Sequence, residues 1–200
     1  MRILFKSSYA YLAFALIAGC ANIAPTQENL AVGIDGKACI GTIMTPPVGL
    51  VETDDTELLQ AAQGASEQGK LCTGKVFVAE KPVTVYRVWD SARSYTVYGS
   101  WWSLSDPQGP RDSYRKEVDF CPEWSALDRM SACTVKVGTR VVIGPGQSVK
   151  CNGDLSYPPS AANQVYIPND SKNNQVFVEN CTAAAEWPKS EPIASQNSAP

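Results

Sequence analysis

Val85-Tyr86-Arg87-Val88-Trp89 and, ten residues further on, Gly99-Ser100-Trp101-Trp102-Ser103 are the segments that decide the fold. Side chains alternate between the two faces of a strand, and the first segment has the β-branched and aromatic residues that strands favour, so we predict a strand over 83–89. Arg87 then lies among apolar neighbours, where an unpaired charge is costly, and it needs an anionic ligand or a carboxylate of the protein. The candidate carboxylate partners are Asp90, Glu123 and Asp128.

Two adjacent tryptophans mark the second segment, which we predict to be extended until the turn at Asp106-Pro107. Neighbouring strand residues point to opposite faces, so the two indoles cannot fill one layer of the core. We expect Trp101 in the core and Trp102 beside a cleft.

The order of these motifs resembles the ADP-ribosyltransferase-like toxin domains found at the ends of bacterial Rhs proteins. The resemblance covers residues 75–170 and rests on Tyr86-Arg87-Val88-Trp89, on Gly99-Ser100-Trp101-Trp102-Ser103 and on Pro107. More distantly, the chain is similar to the tuberculosis necrotizing toxin group of NAD glycohydrolases and to the catalytic subunits of pertussis and cholera toxins. The resemblance implies a mixed, mostly antiparallel split sheet and an activity on NAD.

The resemblance also implies a role for individual residues. Arg87 would match the first-strand arginine that holds the NAD phosphates or ribose, and Gln164 the Glu or Gln near the scissile bond. The candidate catalytic residues are Arg87, Ser103 and Gln164, and the candidate substrate-binding residues are Tyr86, Ser100 and Trp102. A structural arginine and an ordinary strand glutamine are the alternatives.

The implied chemistry is cleavage of the N-glycosidic bond of NAD through an oxocarbenium-like ribose. A guanidinium suits a pyrophosphate because it is planar, permanently charged and bidentate. Gln164 offers hydrogen bonds but lacks the charge of the glutamate that usually stands at this position. The resemblance therefore implies an NAD glycohydrolase or a mono-ADP-ribosyltransferase, with the transferase more affected by the missing charge. NAD would be the substrate, and no cofactor is expected.

Residues 1–19 have the pattern of an export signal, in which a basic start precedes an apolar run that is too short to span a bilayer. The run ends Leu16-Ile17-Ala18-Gly19-Cys20, which resembles the lipobox of bacterial lipoproteins. Cys20 would then carry palmitate and the other acyl chains, and Ala21 favours the outer membrane by analogy with enterobacterial sorting. An ordinary signal peptide cut near the same place is the alternative.

Export would place the protein in the bacterial cell envelope, lipid-anchored and facing the periplasm or the surface. Removing the signal takes away two basic residues and no acidic one, which lowers the formal net charge from −3 to −5. That charge gives no basic surface for nucleic acid. The expected partners are the membrane, NAD and a protein of the envelope. Because the periplasm holds little NAD, a non-catalytic lipoprotein that binds a protein partner is the alternative function.

The cysteines predict disulfides. Besides Cys20 there are six: Cys39, Cys72, Cys121, Cys133, Cys151 and Cys181. An even number in an oxidising compartment implies three bridges, and we favour the sequential pairs Cys39–Cys72, Cys121–Cys133 and Cys151–Cys181. A metal site is the alternative, but the sequence has no CxxC pair and no histidine.

Missing histidine also excludes Ser-His-Asp hydrolases and Cys-His proteases. The sequence has no GxGxxG motif and no P-loop, and Gly144-Pro145-Gly146-Gln147 predicts a turn. Short apolar runs separated by turn residues predict strands at 37–44, 71–79, 83–89, 95–103, 134–137, 140–143, 147–151, 164–167 and 175–179, and helices at 53–68 and 111–118.

The fold class predicted is therefore α+β and β-rich: a mixed, mostly antiparallel split sheet of the ADP-ribosyltransferase-like type, with one or two short helices and disulfide bridges. The predicted organisation is a signal peptide at 1–19, a lipid-bearing tether at 20–35, one domain at 36–182 and a disordered tail at 183–200. About 145 residues are enough for a single core.

Overall fold

The computed structural model describes residues 31–189. The predicted signal segment and Cys20 lie outside these residues. Within them, the helices are too short and too polar for any of them to span a bilayer.

The fold is β-rich, and all neighbouring strands of its sheets run antiparallel. The strands are β1 Leu50–Glu52, β2 Lys75–Ala79, β3 Val83–Trp89, β4 Trp101–Trp102, β5 Arg129–Val135, β6 Arg140–Gly146, β7 Val149–Lys150, β8 Ser156–Tyr157, β9 Ser160–Tyr166, β10 Val178–Glu179 and β11 Ala185–Glu186. The α-helices are α1 Thr56–Ala62 and α2 Arg111–Glu117, and short 3-10 segments cover Ser91–Tyr98, Pro122–Trp124 and Ser171–Asn173.

Two sheets build most of the described fold, and β7 and β8 form a separate two-stranded sheet. The first has the order β1-β2-β6-β9-β4, and in the second β5 pairs with β3 on one edge and with β10 and β11 on the other. They meet where Tyr86 of β3 and Ser103 after β4 exchange two backbone hydrogen bonds of 2.8 Å. The predictions of a β-rich, mostly antiparallel fold with short helices are confirmed.

Apolar side chains of both sheets form one main core. Its largest buried members include Phe77, Ile143 and Val165 from the first sheet and Val85 and Val135 from the second. A smaller cluster, built on Leu71, Ala62 and Val142, lies under α1. Burying this apolar surface is the main favourable contribution to the free energy of folding.

Local sequence signals set two elements correctly. β3 has the predicted bounds, and α2 ends one residue earlier than predicted. Asp55 caps α1, because its carboxylate accepts a hydrogen bond of 3.0 Å from the backbone N–H of Leu58. The helix is shorter than predicted, since Gln63 is already extended and the chain turns back to bridge Leu71.

Three predicted elements are wrong. Residues 37–44 form no strand, and only an isolated bridge joins Val32 to Ala38. The run 95–103 is extended only at β4, because Asp90 caps the 3-10 segment through the backbone N–H of Ala92 at 3.0 Å. Gly144 to Gly146 is not a turn but the end of β6. In each case tertiary context overrides local propensity.

The ordered chain is longer at both ends than the domain predicted for 36–182. Asp35, placed in the tether, accepts hydrogen bonds of 2.8 Å and 2.5 Å from the backbone and hydroxyl of Ser66. Within the predicted tail, β11 pairs with β5, and Trp187 is buried and donates from Nε1 to the carbonyl of Pro107 at 2.9 Å. Residues 190–200 lie outside the described range.

Three disulfides are present, as predicted, but only one of the three predicted pairs is right. Cys39–Cys72 is confirmed. The other bridges are Cys121–Cys151 and Cys133–Cys181, so the predicted pairs Cys121–Cys133 and Cys151–Cys181 are wrong. Distance along the chain misled the pairing, because Cys133 lies inside β5 whereas Cys121 packs beside Val149 and Tyr157.

The disulfide map is directly testable. Trypsin sites at Arg129, Lys136, Lys150 and Lys172 separate the last four cysteines. Digestion of the unreduced protein should join the Cys121 peptide to the Cys151 peptide and the Cys133 peptide to the Cys181 peptide, as mass spectrometry would show. Each bridge stabilises the fold by about 2–4 kcal/mol. A Cys121–Cys133 peptide would contradict the structure.

Candidate functional site

Arg87 is a half-buried residue whose guanidinium is held by backbone carbonyls and by no carboxylate of the described residues. Its Nε donates to the carbonyl of Thr96 at 2.7 Å, and its Nη1 donates to the carbonyl of Trp101. Its Cζ lies 5.9 Å from the ring centroid of Trp102. Across residues 31–189 it forms no ion pair.

The expected carboxylate partners of Arg87 are engaged elsewhere. Asp90 pairs with Arg93 at 2.9 Å, Asp128 accepts from Ser91, and Glu123 accepts a 2.7 Å bond from the backbone N–H of Asn152. The predicted ion pair between Arg87 and one of these three carboxylates is therefore wrong.

Burial weakens but does not remove the charge of Arg87. Desolvation lowers the pKa of Arg87 to about 10, with Tyr114 acting in the opposite direction, so the guanidinium is protonated at neutral pH. Gly99 leaves room for it, since a Cβ there would lie 2.1 Å from Nη2. With both carbonyls occupied, Arg87 fixes the backbone that leads into β4.

Of the two tryptophans, Trp102 and not Trp101 lies in the main core. Trp102 is only 3% exposed and belongs to the main core, and its Nε1 donates to the carbonyl of Gly99 at 2.7 Å. Trp101 is half-buried on the opposite face, with its ring 5.1 Å from that of Tyr166. The prediction that Trp101 lies in the core instead of Trp102 is wrong. Trp102 lies in the core and also lines the groove described next.

A groove of about 250 Å³ lies over this part of the fold. Its walls come from the loop after β4, from α2 and from β9, and its lining includes Trp102, Ser103, Asp106, Tyr114, Glu117 and Gln164. A cavity of about 20 Å³, the space of one water, lies behind it and is lined by Arg87, Trp101, Trp102, Tyr114 and Gln164. We call the first of these the Gln164 groove.

The structure brings some of the predicted site residues together and leaves others apart. Ser103, Trp102 and Gln164 line the Gln164 groove, and Arg87 reaches only the small cavity behind them. Ser100 is turned away and donates to the carbonyl of Asn169 at 3.2 Å. Tyr86 contributes its backbone to the junction with Ser103 and lines neither space.

Gln164 is a buried amide with an unpaired nitrogen. It lies on β9 opposite Gly144 and is 7% exposed. Its Nε2 is fully buried and has no hydrogen-bond partner. Its Oε1 accepts no bond from the described residues and is not among the fully buried unpaired atoms. A buried polar atom without a partner is costly, so its retention needs an explanation in function.

Asp119 is also buried without a hydrogen-bond partner, and the sequence did not single it out as a site residue. It follows α2, is 2% exposed, and neither carboxylate oxygen has a partner. Burial alone raises the pKa of Asp119 to about 8. The signal in the sequence was a single acidic residue between the apolar Val118 and Phe120, two residues before Cys121.

Tyr114 of α2 was also missed. It lines both the groove and the cavity, and its ring stacks edge-on against Trp187 at 4.9 Å. Burial raises the pKa of Tyr114 to about 12, so its hydroxyl is protonated and available as a donor.

The lining of the Gln164 groove is acidic. Asp106 and Glu117 belong to it, and no basic residue does. One oxygen of Asp106 is buried without a partner, and the other lies 3.5 Å from Nζ of Lys189. A concavity of about 500 Å³ adjoins the groove at Pro107 and Gln108 and carries Lys189 at its edge. The groove thus favours a cationic group, and the adjoining concavity offers a cation to an anionic one.

A metal has no evident site in the part of the chain that is described. The cluster with metal-type atoms there is Cys121, Glu123 and Cys151, and both sulfurs are consumed by their disulfide. No thiolate is left to bind an ion.

Comparison with known proteins gives little. No family model matches the chain, and no curated protein matches it. Among solved structures it is similar to a chain in "Structure of Tne2 in complex with Tni2", at 9% identity and a TM-score of 0.44, over 62% of this chain and 97% of that chain. A likeness this distant establishes neither the family of this chain nor its activity.

Asp119→Asn should remove a pH dependence of stability. With its pKa raised to about 8, Asp119 binds its proton more tightly when folded than when unfolded. Its contribution to stability is complete below about pH 4 and is lost as the pH rises to about 8, by up to about 1.4 kcal/mol per pH unit.

Urea unfolding at several pH values would check this. The free energy of unfolding of Asp119→Asn, relative to the wild type, should rise with pH, whereas the same change at exposed Asp154 should leave the profile unaltered. Parallel profiles for wild type and Asp119→Asn would show that Asp119 ionises normally.

Proposed function

We propose that the Gln164 groove binds the nicotinamide end of NAD and that the protein hydrolyses its N-glycosidic bond, on a fold of the ADP-ribosyltransferase-like type. The observation that carries the proposal is the amide of Gln164, which is buried with an unpaired nitrogen at an acidic groove between the two sheets. Buried polar groups without partners are rare in native structures.

The charge of the groove suits the reaction. The nicotinamide ring of NAD is a cation when joined to ribose, and the positive charge moves onto the ribose as the bond breaks. Asp106 and Glu117 line the groove. Negative groups fixed where positive charge develops stabilise the transition state most effectively when water is excluded.

The dimensions of the site suit one half of a dinucleotide. A groove of about 250 Å³ accommodates a nicotinamide and its ribose, and the adjoining concavity of about 500 Å³ takes the remaining half. Lys189 at its edge supplies the charge that a pyrophosphate needs. Ser103 Oγ accepts a 3.1 Å bond from the backbone N–H of Ser105, which leaves its proton for the carboxamide of nicotinamide.

Arg87 takes a different part from the phosphate clamp implied by the resemblance. Two of its donor groups are used by the carbonyls of Thr96 and Trp101. In the proposal it is a positioning residue that holds β4, and with it Trp102 and Ser103, against the groove. Gln164 contributes hydrogen bonds without a charge, which favours hydrolysis by water over transfer to an acceptor.

Gln164→Ala should reduce nicotinamide release from NAD by about 100-fold in kcat/KM, because the oriented amide at the scissile bond is lost. The assay uses the mature protein with its disulfides intact. Gln60→Ala makes the same change on the exposed face of α1 and should leave the rate unaltered. A folded wild-type protein that releases no nicotinamide would refute the proposal.

For location, we propose a lipoprotein whose Cys20 is acylated and held in the outer membrane. Two or more acyl chains give firm anchoring, since each buried CH₂ contributes about 0.8 kcal/mol. Globomycin should then cause the unprocessed precursor to accumulate, and Cys20→Ser should lose palmitate labelling. Normal processing of the Cys20→Ser protein would mean that an ordinary signal peptidase cuts the chain.

Binding of an envelope protein is the second candidate function, and an exposed apolar patch favours it. Val48 is 89% exposed and lies with Met44, Pro47 and Leu104 around a concavity of about 370 Å³. Apolar side chains grouped in this way mark interaction surfaces. The concavity meets the Gln164 groove at Ser105, which lines both, so the two candidate sites are neighbours on one domain.

A further inference from the structure

We propose that Asp119 is a positioning residue for Gln164: its carboxyl pairs with Nε2 of Gln164 and so turns Oε1 toward the groove. The catalytic consequence rests on the proposed function, but the pairing itself does not. It assigns a role to the one buried acid next to the site that the chemistry above leaves unused.

The backbone at Asp119 is held in a conformation that carries a cost. Its φ is +50°, in the left-handed region that non-glycine residues rarely adopt. The preceding residue closes α2, and the Cys121–Cys151 bridge fixes the chain two residues later. A strained backbone that aims a buried carboxyl inward persists only where the surrounding structure enforces it, and such strain concentrates at functional sites.

Gly146 of β6 shows where that carboxyl points. A Cβ at Gly146 would lie 2.0 Å from Oδ2 of Asp119 and 3.0 Å from Nε2 of Gln164. The acid and the amide therefore lie side by side over the same glycine. Any larger residue at this position would displace the carboxyl.

The unpaired atoms of the two side chains are complementary. Both oxygens of Asp119 and the nitrogen of Gln164 are fully buried without partners, whereas Oε1 of Gln164 is not fully buried. A single Nε2–H···Oδ2 bond satisfies a donor and an acceptor at once. It also decides the orientation of the amide, which is otherwise symmetric in shape.

No charged neighbour competes for Asp119. Arg115 of α2 donates to the carbonyls of Cys121 and Ser125, and Lys70 donates to the carbonyl of Ala61 at 3.1 Å. Glu117 lines the groove. β6 and β9 place Gly146 and Gln164 next to the acid and bring no charge there. Burial is accordingly the sole cause of its raised pKa.

The orientation matters for the reaction. With Nε2 turned inward, Gln164 presents the negative end of its amide dipole to the ribose. Oε1 can then accept a hydrogen bond from a ribose hydroxyl or from the attacking water, and it faces the carbon on which positive charge develops. The reversed amide would present a donor to a cation.

The test is the side-chain amide signal of Gln164 in ¹H–¹⁵N correlation spectra of the mature, disulfide-bonded protein, assigned by its loss in Gln164→Ala. Because the pKa of Asp119 is about 8, the Nε2 protons should shift downfield between about pH 6 and about pH 9. In Asp119→Asn, which tolerates the same backbone, this titration should vanish. Asp154→Asn, an exposed change, should leave it intact.

Gly146→Ala reaches the same pair from the other side. The added methyl group displaces the carboxyl, so the variant should also lose the titration of the Gln164 amide. In NAD cleavage, Gly146→Ala should lower kcat by about 10- to 100-fold and leave KM within about twofold, as expected when a supporting residue misaligns a reacting group.

The outcomes are distinct. A Gln164 signal that does not titrate, or that titrates alike in wild type and folded Asp119→Asn, overturns the pairing. A titrating signal in a wild-type protein that leaves NAD intact retains the pairing and refutes the proposed function alone. A rise in KM with unchanged kcat in Gly146→Ala overturns the positioning role.

Discussion

The buried guanidinium of Arg87 is the interaction on which the rest of the structure depends. Arg87 belongs to β3 in one sheet, and the carbonyl of Trp101 that it binds belongs to β4 in the other. Its second carbonyl, on Thr96, lies in the 3-10 segment between them. One cation thus ties together two sheets and their connection, where a neutral side chain would leave buried carbonyls unsatisfied. The Gln164 groove lies beside this junction, because Ser103, whose backbone joins the two sheets, also lines the groove.

Asp119 explains why an amide, and not a second acid, stands at position 164. A glutamate there would put two buried carboxyls side by side over Gly146, and the pair would share a proton instead of carrying two charges. An amide next to a buried acid costs less, because it supplies the donor that the acid lacks. Under the proposed function, an amide at position 164 in place of the glutamate implied by the resemblance is compatible with hydrolysis.

Local patterns in the sequence predicted those elements that depend on neighbouring residues alone. The alternation around Arg87 and the helix formers after Pro110 predicted β3 and α2 well. The predicted site residues Arg87, Ser103 and Gln164 come from three separate segments. In the structure Ser103 and Gln164 line the groove, and Arg87 lines the small cavity behind it. Sequence could not reveal the partners of Cys121 and Cys133, the fold of Ser91–Tyr98 or the burial of Asp119, because each depends on which distant strands become neighbours.

The most direct test of the account is to map where nicotinamide binds, since it is the group that the groove should receive and it is not consumed. Adding it to the ¹⁵N-labelled mature protein should perturb the indole signal of Trp102, the backbone signal of Ser103 and the side-chain amide of Gln164. Changes confined to the concavity beside Arg140 and Phe177, or none at saturating nicotinamide, would contradict it.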